Sequence, residues 1–190
     1  MTLQKINTRN TVLILMIVIA AAFRLVTYKL SLRYPFEMSN FNTIGAMALF
    51  GGAYFTDKVK AYLIPFLALF LSDVALHYAF GVNWNSFIVY FCFAIMVFIG
   101  SLIKKATVVN VLAASIVSVA IHWLLTDLPW LYGAYYPHTL AGYGQSLVAA
   151  IPFERNMLIA DAIFCAVLFG GFELAKSKYT VLRTNREVAI

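Results

Sequence analysis

The third apolar run of the chain extends from Ala61 to Phe80 and reads AYLIPFLALFLSDVALHYAF. Among its side chains Asp73 is the only carboxylic acid and His77 the only basic group. The hydrocarbon core of a bilayer is about 30 Å thick, and a helix crosses it with about 20 apolar residues. Ionisable residues are rare in such helices, where they face a cavity or a partner. The run therefore predicts a membrane-spanning helix that carries a polar pair.

The rest of the chain shares this apolar character. Of its 190 residues, 63% are hydrophobic and 12% are charged, whereas soluble domains average roughly 45–50% apolar and about 25% charged residues. So few charges cannot cover a water-soluble domain, which excludes a soluble enzyme and a disordered chain. The net charge of +6 does not predict nucleic-acid binding, because that function needs basic residues clustered on one face.

The two cysteines, Cys92 and Cys165, both lie inside apolar runs. They offer neither a disulfide framework nor a CxxC metal site. Cys92 lies at a depth at which a thiol could bind a soft metal centre, but a buried packing thiol is the simpler interpretation for both residues. We predict no metal ligand and no catalytic residue, and the sequence leaves the cofactor unknown.

Six apolar runs predict an all-α bundle of six transmembrane helices in a single membrane domain, residues 1–190. The predicted helices cover about residues 11–28, 41–55, 61–80, 85–103, 107–125 and 156–175. Residues 126–155 form the longest stretch between them. Because this stretch is rich in Trp and Tyr, it predicts an interfacial cap loop, with a short helix, over the outer ends of the bundle.

The distribution of Lys and Arg predicts the orientation, because short cytoplasmic loops retain these residues. With the N-terminus inside, ten of the fourteen basic residues fall on inner segments. This bias predicts a multi-pass membrane protein with both termini in the cytoplasm. Residues 1–23 also have the features of a signal peptide, with two basic residues before an apolar stretch that ends in small residues. Cleavage there would leave five helices.

The ionisable residues of the predicted spans gather at one depth. Asp73 and His77 lie four residues apart, hence on one face of the third helix. His122 and Asp127 lie at the outer end of the fifth helix, and Asp161 lies in the outer half of the sixth. Such clustering predicts a polar cavity that opens outward beneath the aromatic residues and binds a small solute. The predicted substrate-binding residues are Asn42, Asp73, His77, His122, Tyr136 and Asp161.

Each of these ionisable residues also has a purely structural interpretation. Asp73 and His77 can pair with each other across one helical turn. Asp161 can pair with Arg24 or Arg155. Both arginines are otherwise expected to extend their head groups to the membrane interface.

The second run contains a small-residue stripe formed by Gly45, Ala48 and Gly52. Small residues at this spacing let two helices approach closely in lipid. The stripe either packs inside the bundle or docks a partner membrane subunit. Because the run is short, it is also expected to begin as a broken segment in which Asn40 and Asn42 offer polar groups to the cavity.

Several separated motifs resemble a family of small, uncharacterised bacterial integral membrane proteins, across residues 24–172. They are NTIGAMALFGGAYF at 42–55, Pro65, Ser72–Asp73, YPHT at 136–139, Gly142, AAIPF at 149–153, Asn156 and Asp161. The family usually carries an Asn-type residue where this chain has Thr126–Asp127. In size, span number and topology it is similar to the substrate-binding S components of energy-coupling factor transporters.

This resemblance implies a multi-pass bundle in the bacterial cytoplasmic (inner) membrane that binds a vitamin or metal-cofactor precursor outside and releases it inward. It also implies a transmembrane coupling subunit with ATPases as partners. The chain has no GxxxxGK[ST] motif, so ATP hydrolysis would belong to other chains.

Three function classes follow from these features. We favour a solute-binding or uptake component with an outward-facing cavity. A structural or assembly subunit of a membrane complex would use the small-residue stripe as its docking surface. An intramembrane metal-dependent enzyme would use the ionisable residues as ligands or proton carriers. No HExxH or GxSxG motif supports the enzyme, so we do not predict catalysis.

Overall fold

The computed structural model describes residues 7–184, and all regular secondary structure within this range is helical. The all-α prediction is therefore confirmed. The α-helices are α1 (Thr8–Arg33), α2 (Pro35–Met38), α3 (Ile44–Tyr54), α4 (Lys58–Phe80), α5 (Phe87–Ser101), α6 (Val108–Thr126), α7 (Leu140–Cys165) and α8 (Gly171–Lys178). A π-helical turn, Ala166–Gly170, joins α7 to α8, and 3-10 turns lie at Pro129–Tyr132 and Thr180–Leu182.

Four helical segments are long and apolar enough to cross a membrane: Thr8–Arg33, Lys58–Phe80, Val108–Thr126 and the continuous segment Leu140–Lys178. The chain is thus a helical membrane protein. α3 and α5 occupy two further predicted spans but have only 11 and 15 residues, which give lengths of about 17 and 23 Å. The six-span topology and the cytoplasmic termini remain predictions. Lys5 and Arg186, two of the basic residues behind that orientation, lie outside the described residues.

The prediction of a cap loop over residues 126–155 is wrong for the second half of that stretch, because α7 begins at Leu140. Thr139 caps this helix, and its Oγ1 accepts a hydrogen bond from Gly142 N at 3.1 Å. Pro152 does not break the helix, since a proline removes one backbone hydrogen bond and membrane helices tolerate that loss. The loop proper spans residues 127–139 and is called the aromatic loop below.

α3 is buried along nearly its whole length and touches α5 backbone to backbone. A Cβ atom at Gly52 would lie 2.0 Å from Val97 O, and one at Gly100 would lie 2.3 Å from Leu49 O. Only glycine allows these approaches. The small-residue stripe therefore packs inside the bundle, and its prediction as a partner-docking surface is wrong because all three residues are buried: Gly45, Ala48 and Gly52.

A polar cluster ties α1, α3 and α8 together at the end of the bundle where α1 begins, which we call the base. Arg9 Nη2 donates to Tyr54 O at 2.7 Å. The hydroxyl of Tyr54 donates to Glu173 Oε1 at 2.7 Å, and Lys176 Nζ lies 2.8 Å from the same oxygen. The aromatic loop lies at the opposite end, which we call the loop end.

Candidate functional site

A buried ion pair joins α1 to α4 towards the loop end. Arg24 Nη2 lies 2.8 Å from Asp73 Oδ1, and both side chains are less than a tenth exposed. Arg24 Nη1 donates to Ser72 Oγ and, at 3.3 Å, to Leu69 O. The expectation that Arg24 extends to the interface is wrong, because its carboxylate partner lies inside the bundle at the same depth.

Asp73 is held by three side chains from three parts of the chain. Besides Arg24, Asn85 Nδ2 donates to both carboxylate oxygens at 3.0 Å each, and the Tyr90 hydroxyl donates to Oδ2 at 2.5 Å. Asp73 and His77 do not pair with each other, contrary to the structural alternative. His77 Nδ1 instead lies 2.8 Å from Val82 O, because the chain turns back at Gly81, whose φ is +68°.

A second carboxylate, Glu154 on α7, pairs with His122 on α6. His122 Nδ1 lies 3.2 Å from Oε1 and 3.3 Å from Oε2. Asn40 Nδ2 also approaches Oε1, at 3.5 Å. Glu154 is only 6% exposed. Sequence reasoning missed this residue because it lies in the stretch assigned to the cap loop; a lone carboxylate beside Pro152 and Phe153 was the available signal.

The segment between α2 and α3, residues 39–43, is fixed by hydrogen bonds to its side chains and carbonyl groups. Asn40 has a φ of +60°, which asparagine tolerates better than most residues. Asn42 uses both ends of its amide: Oδ1 accepts from Ile44 N at 2.9 Å, and Nδ2 donates to Asn40 O at 3.2 Å. Asn156 Nδ2 on α7 donates to Ser39 O at 3.1 Å. Hence α3 starts within the bundle, as a broken helix does.

Two cavities flank this segment, and both are lined by Asn40 and Asn42. The first, which we call the amide cavity, has a volume of about 120 Å³ and lies between α3, α5, α6 and α7. Asn85 and His122 complete its polar wall, and Phe93 contributes to its apolar wall. The second, which we call the arginine cavity, has a volume of about 270 Å³. Arg24 lines the arginine cavity, and Asn85, which is hydrogen-bonded to the Arg24 partner Asp73, lines the amide cavity.

The structure separates the six predicted substrate-binding residues into two sets. Asn42 and His122 line the amide cavity, and Asp73 binds Asn85, which lines it as well. The other three, His77, Tyr136 and Asp161, line neither of the two cavities. Tyr136 packs in the aromatic loop, against the rings of its neighbours.

Asp161 lies deeper than the amide cavity and is fully buried. Its Oδ2 accepts a hydrogen bond from Ser115 Oγ at 3.1 Å, whereas Oδ1 has no hydrogen-bond partner. A Cβ atom at Gly45 would come within 2.4 Å of both oxygens, so the carboxylate presses against the first turn of α3. Neither Arg24 nor Arg155 pairs with Asp161, so the alternative in which Asp161 forms an ion pair with one of these arginines is wrong.

The aromatic loop is anchored to the end of α6 by Asp127. The Tyr132 hydroxyl donates to Asp127 Oδ1 at 3.0 Å and to Thr126 O at 3.2 Å. Burial raises the pKa of the Asp127 carboxyl, an effect that the hydrogen bond from Tyr132 opposes. Burial and the nearby Asp127 charge raise the pKa of Tyr132 to about 12. This contact holds the first half of the loop against the bundle.

No three His, Cys, Asp or Glu side chains converge as metal ligands would within residues 7–184. Cys92 and Cys165 are both buried, free thiols.

A family model described as a family of unknown function, DUF6580, matches residues 4–182. No curated protein and no solved structure matches the chain.

Proposed function

Since the chain belongs to DUF6580, a family of unknown function, we propose its function from its own geometry: it binds a small polar solute in the amide cavity and serves solute uptake. One observation carries the proposal. Two polar residues of the cavity wall, Asn85 and His122, are each held by a buried carboxylate, Asp73 and Glu154 respectively. Carboxylates placed behind wall groups orient them, as partners behind the ligands of a binding site do.

The energetic cost of this arrangement supports a functional role. Buried ion pairs lose hydration that their mutual attraction repays only in part, and apolar replacements of such pairs are often equally stable. A bundle that needed only stability would gain little from the Arg24–Asp73 ion pair, or from a buried Glu154 carboxylate that is hydrogen-bonded to His122. Both pairs instead border a cavity lined by Asn40 and Asn42. Asn40 is exposed, so the cavity has a route to solvent beside the segment 39–43.

The proposal of uptake, rather than of binding alone, depends on the predicted orientation, in which the loop end faces the outside of the cell. The similarity in architecture to S components of energy-coupling factor transporters also favours movement of the solute from the outside to the inside. In this proposal a transmembrane coupling subunit with ATPases supplies the energy, and the aromatic loop covers the outer entrance.

An assembly subunit is the weaker candidate, because the stripe that favoured it is buried between α3 and its neighbours.

The test is solute-dependent stabilisation of the detergent-purified full chain. A ligand that binds only the folded state raises its stability by about 2.7 kcal/mol at a concentration 100 times the Kd. We expect at least one compound from a panel of small polar solutes to raise Tm in wild type and to lose this effect in Asn85→Leu. Asn110→Leu, on α6 near the base, is the matched control. Failure of every compound, or equal shifts in wild type and Asn85→Leu, would contradict the proposal.

A further inference from the structure

The hydrogen-bond partners of Asn85 determine which atom it can offer to the amide cavity. Both hydrogen bonds of its Nδ2 go to Asp73, at 3.0 Å to each carboxylate oxygen. A side-chain amide has one NH₂ group and one carbonyl oxygen. Since the NH₂ group is committed to the carboxylate, Oδ1 is the atom left for a ligand. Asn85 therefore presents an acceptor to the cavity.

His122 presents an acceptor for the same reason. Its Nδ1 lies within 3.3 Å of both oxygens of Glu154, so this nitrogen carries the hydrogen. In a neutral imidazole the other nitrogen, Nε2, is then an acceptor. Asn40 repeats the pattern, because its Nδ2 approaches Glu154 and leaves Oδ1. Asn42 has both ends of its amide occupied within the segment 39–43.

The charges around the cavity have a matching sign. Two carboxylates stand behind residues of the cavity wall, Asp73 and Glu154, and each is 6% exposed. Among the buried residues of the range 7–184, Arg24 is the one arginine or lysine towards the loop end, since Arg9 lies at the base. Arg24 forms its ion pair with Asp73. The polar contacts of Glu154 are therefore the imidazole of His122 and the amide of Asn40. Buried negative charge in excess of positive charge is costly, and a bound cation would offset it.

We propose that the amide cavity binds a small cation with N–H donors, an ammonium ion or a short protonated primary amine. This inference rests on the proposed function and names its solute class. The amine donates to Asn85 Oδ1, His122 Nε2 and Asn40 Oδ1. The Phe93 ring, in the wall of the cavity, adds an attractive face for the charge. A volume of about 120 Å³ has room for a short amine, since one water molecule needs about 10–15 Å³ of such space.

The test measures binding of ethylammonium chloride to the purified full chain by calorimetry and by its effect on Tm, at constant ionic strength. Three probes separate the features that the cavity is proposed to recognise. Ethanol has a donor and no charge, tetramethylammonium has a charge and no donor, and potassium is a cation without a hydrogen-bond donor. We expect ethylammonium to bind saturably and the other three to bind at least about tenfold more weakly.

Two variants with matched controls locate the site. Glu154→Gln removes the uncompensated charge, and we expect it to weaken ethylammonium binding about tenfold or more. Glu37→Gln is its control, on the exposed surface of α2. His122→Gln should weaken binding in the same way, whereas His138→Gln, in the aromatic loop, should not. If Glu154→Gln does not fold, His122→Gln alone decides the question.

The outcomes separate the solute class from the proposed function. Binding of a neutral or anionic solute that is lost in Asn85→Leu and His122→Gln would overturn the cation and leave the cavity as a solute site. Tight binding of potassium or tetramethylammonium would overturn the requirement for N–H donors. Ethylammonium binding that is equal in wild type and all variants would overturn the assignment to this cavity. If no solute of any class binds, both proposals fall.

Discussion

Glu154 on α7 holds Nδ1 of His122 on α6, with both carboxylate oxygens within 3.3 Å of that nitrogen. The two residues lie 32 positions apart in the chain, and their pairing turns the other side of the imidazole to a cavity. Asp73 does the same for Asn85, another residue of the cavity wall. Buried charges thus orient neutral groups at a site.

Breaking the Arg24–Asp73 pair should destabilise the bundle strongly. Arg24→Met keeps the apolar stem but leaves the buried Asp73 carboxylate without its cation, which typically costs about 3–5 kcal/mol. The double variant Arg24→Met/Asp73→Asn should recover part of that loss, because no unpaired charge remains. Thermal unfolding of the purified protein measures both effects, with the exposed Arg33→Met as control. Strictly additive losses in the two single variants and the double variant would show that the pair is not coupled.

The contact between α3 and α5 should not tolerate a methyl group. A Cβ atom at Gly52 would lie 2.0 Å from Val97 O, so Gly52→Ala forces the backbones apart and should cost at least about 1–3 kcal/mol. Gly170→Ala is the matched control, because nothing lies within 4 Å of a Cβ atom there. The control should be neutral or stabilise the helix by up to about 1 kcal/mol. Equal Tm values for Gly52→Ala and Gly170→Ala would contradict the close packing.

Stability should depend on pH through Asp127. Burial raises the pKa of its carboxyl, so the folded state holds the proton more tightly than the unfolded chain does. The folded state is therefore favoured most at pH values below the ordinary carboxyl pKa. This contribution decreases as the pH rises towards the raised pKa of the folded state and is constant above it.

Asp127→Asn removes that dependence while its side-chain oxygen can still accept from Tyr132. The difference in Tm, variant minus wild type, should become more positive between about pH 4 and pH 8. Unfolding scans at several pH values measure it. A difference that stays constant or becomes more negative with rising pH would show that the carboxyl is not held in its neutral form.

The early start of α7 depends on a cap at Thr139. Thr139→Ala removes the acceptor for Gly142 N and should weaken the first turns of the helix by about 1 kcal/mol. Hydrogen exchange should show protection of residues 143–155 in wild type and faster exchange near residue 143 in the variant. Rapid exchange throughout residues 140–155 in wild type would contradict a helix that begins at residue 140 and would favour the cap loop that the sequence predicts.

The local sequence pattern predicts how deep a polar residue lies along its helix, but not which neighbour its side chain contacts. Runs of about 20 apolar residues are sufficient to place membrane helices, and the depth of Asp73 and His122 along their helices can be counted from the run ends. Which way each side chain points around the helix axis depends on how neighbouring helices pack. For this reason His77 and Asp161 share the predicted depth but not the cavity. Asn85 lies at the very start of the predicted fourth span and Glu154 lies outside the predicted spans, and their partners, distant in the sequence, leave no local signal.

Labelling of a cysteine in the amide cavity tests most directly whether the protein has a solute cavity open to the outside. Both native cysteines are buried, so Val89→Cys, in the wall of the cavity, introduces the reactive thiol. Val97→Cys, fully buried on the same helix, is the control. We predict that a small, membrane-impermeant thiol reagent added to intact cells labels Cys at position 89 and not at position 97, and that excess ethylammonium slows the labelling. Labelling of position 89 only after the inner side is made accessible, or at no stage, would contradict an outward-facing solute cavity.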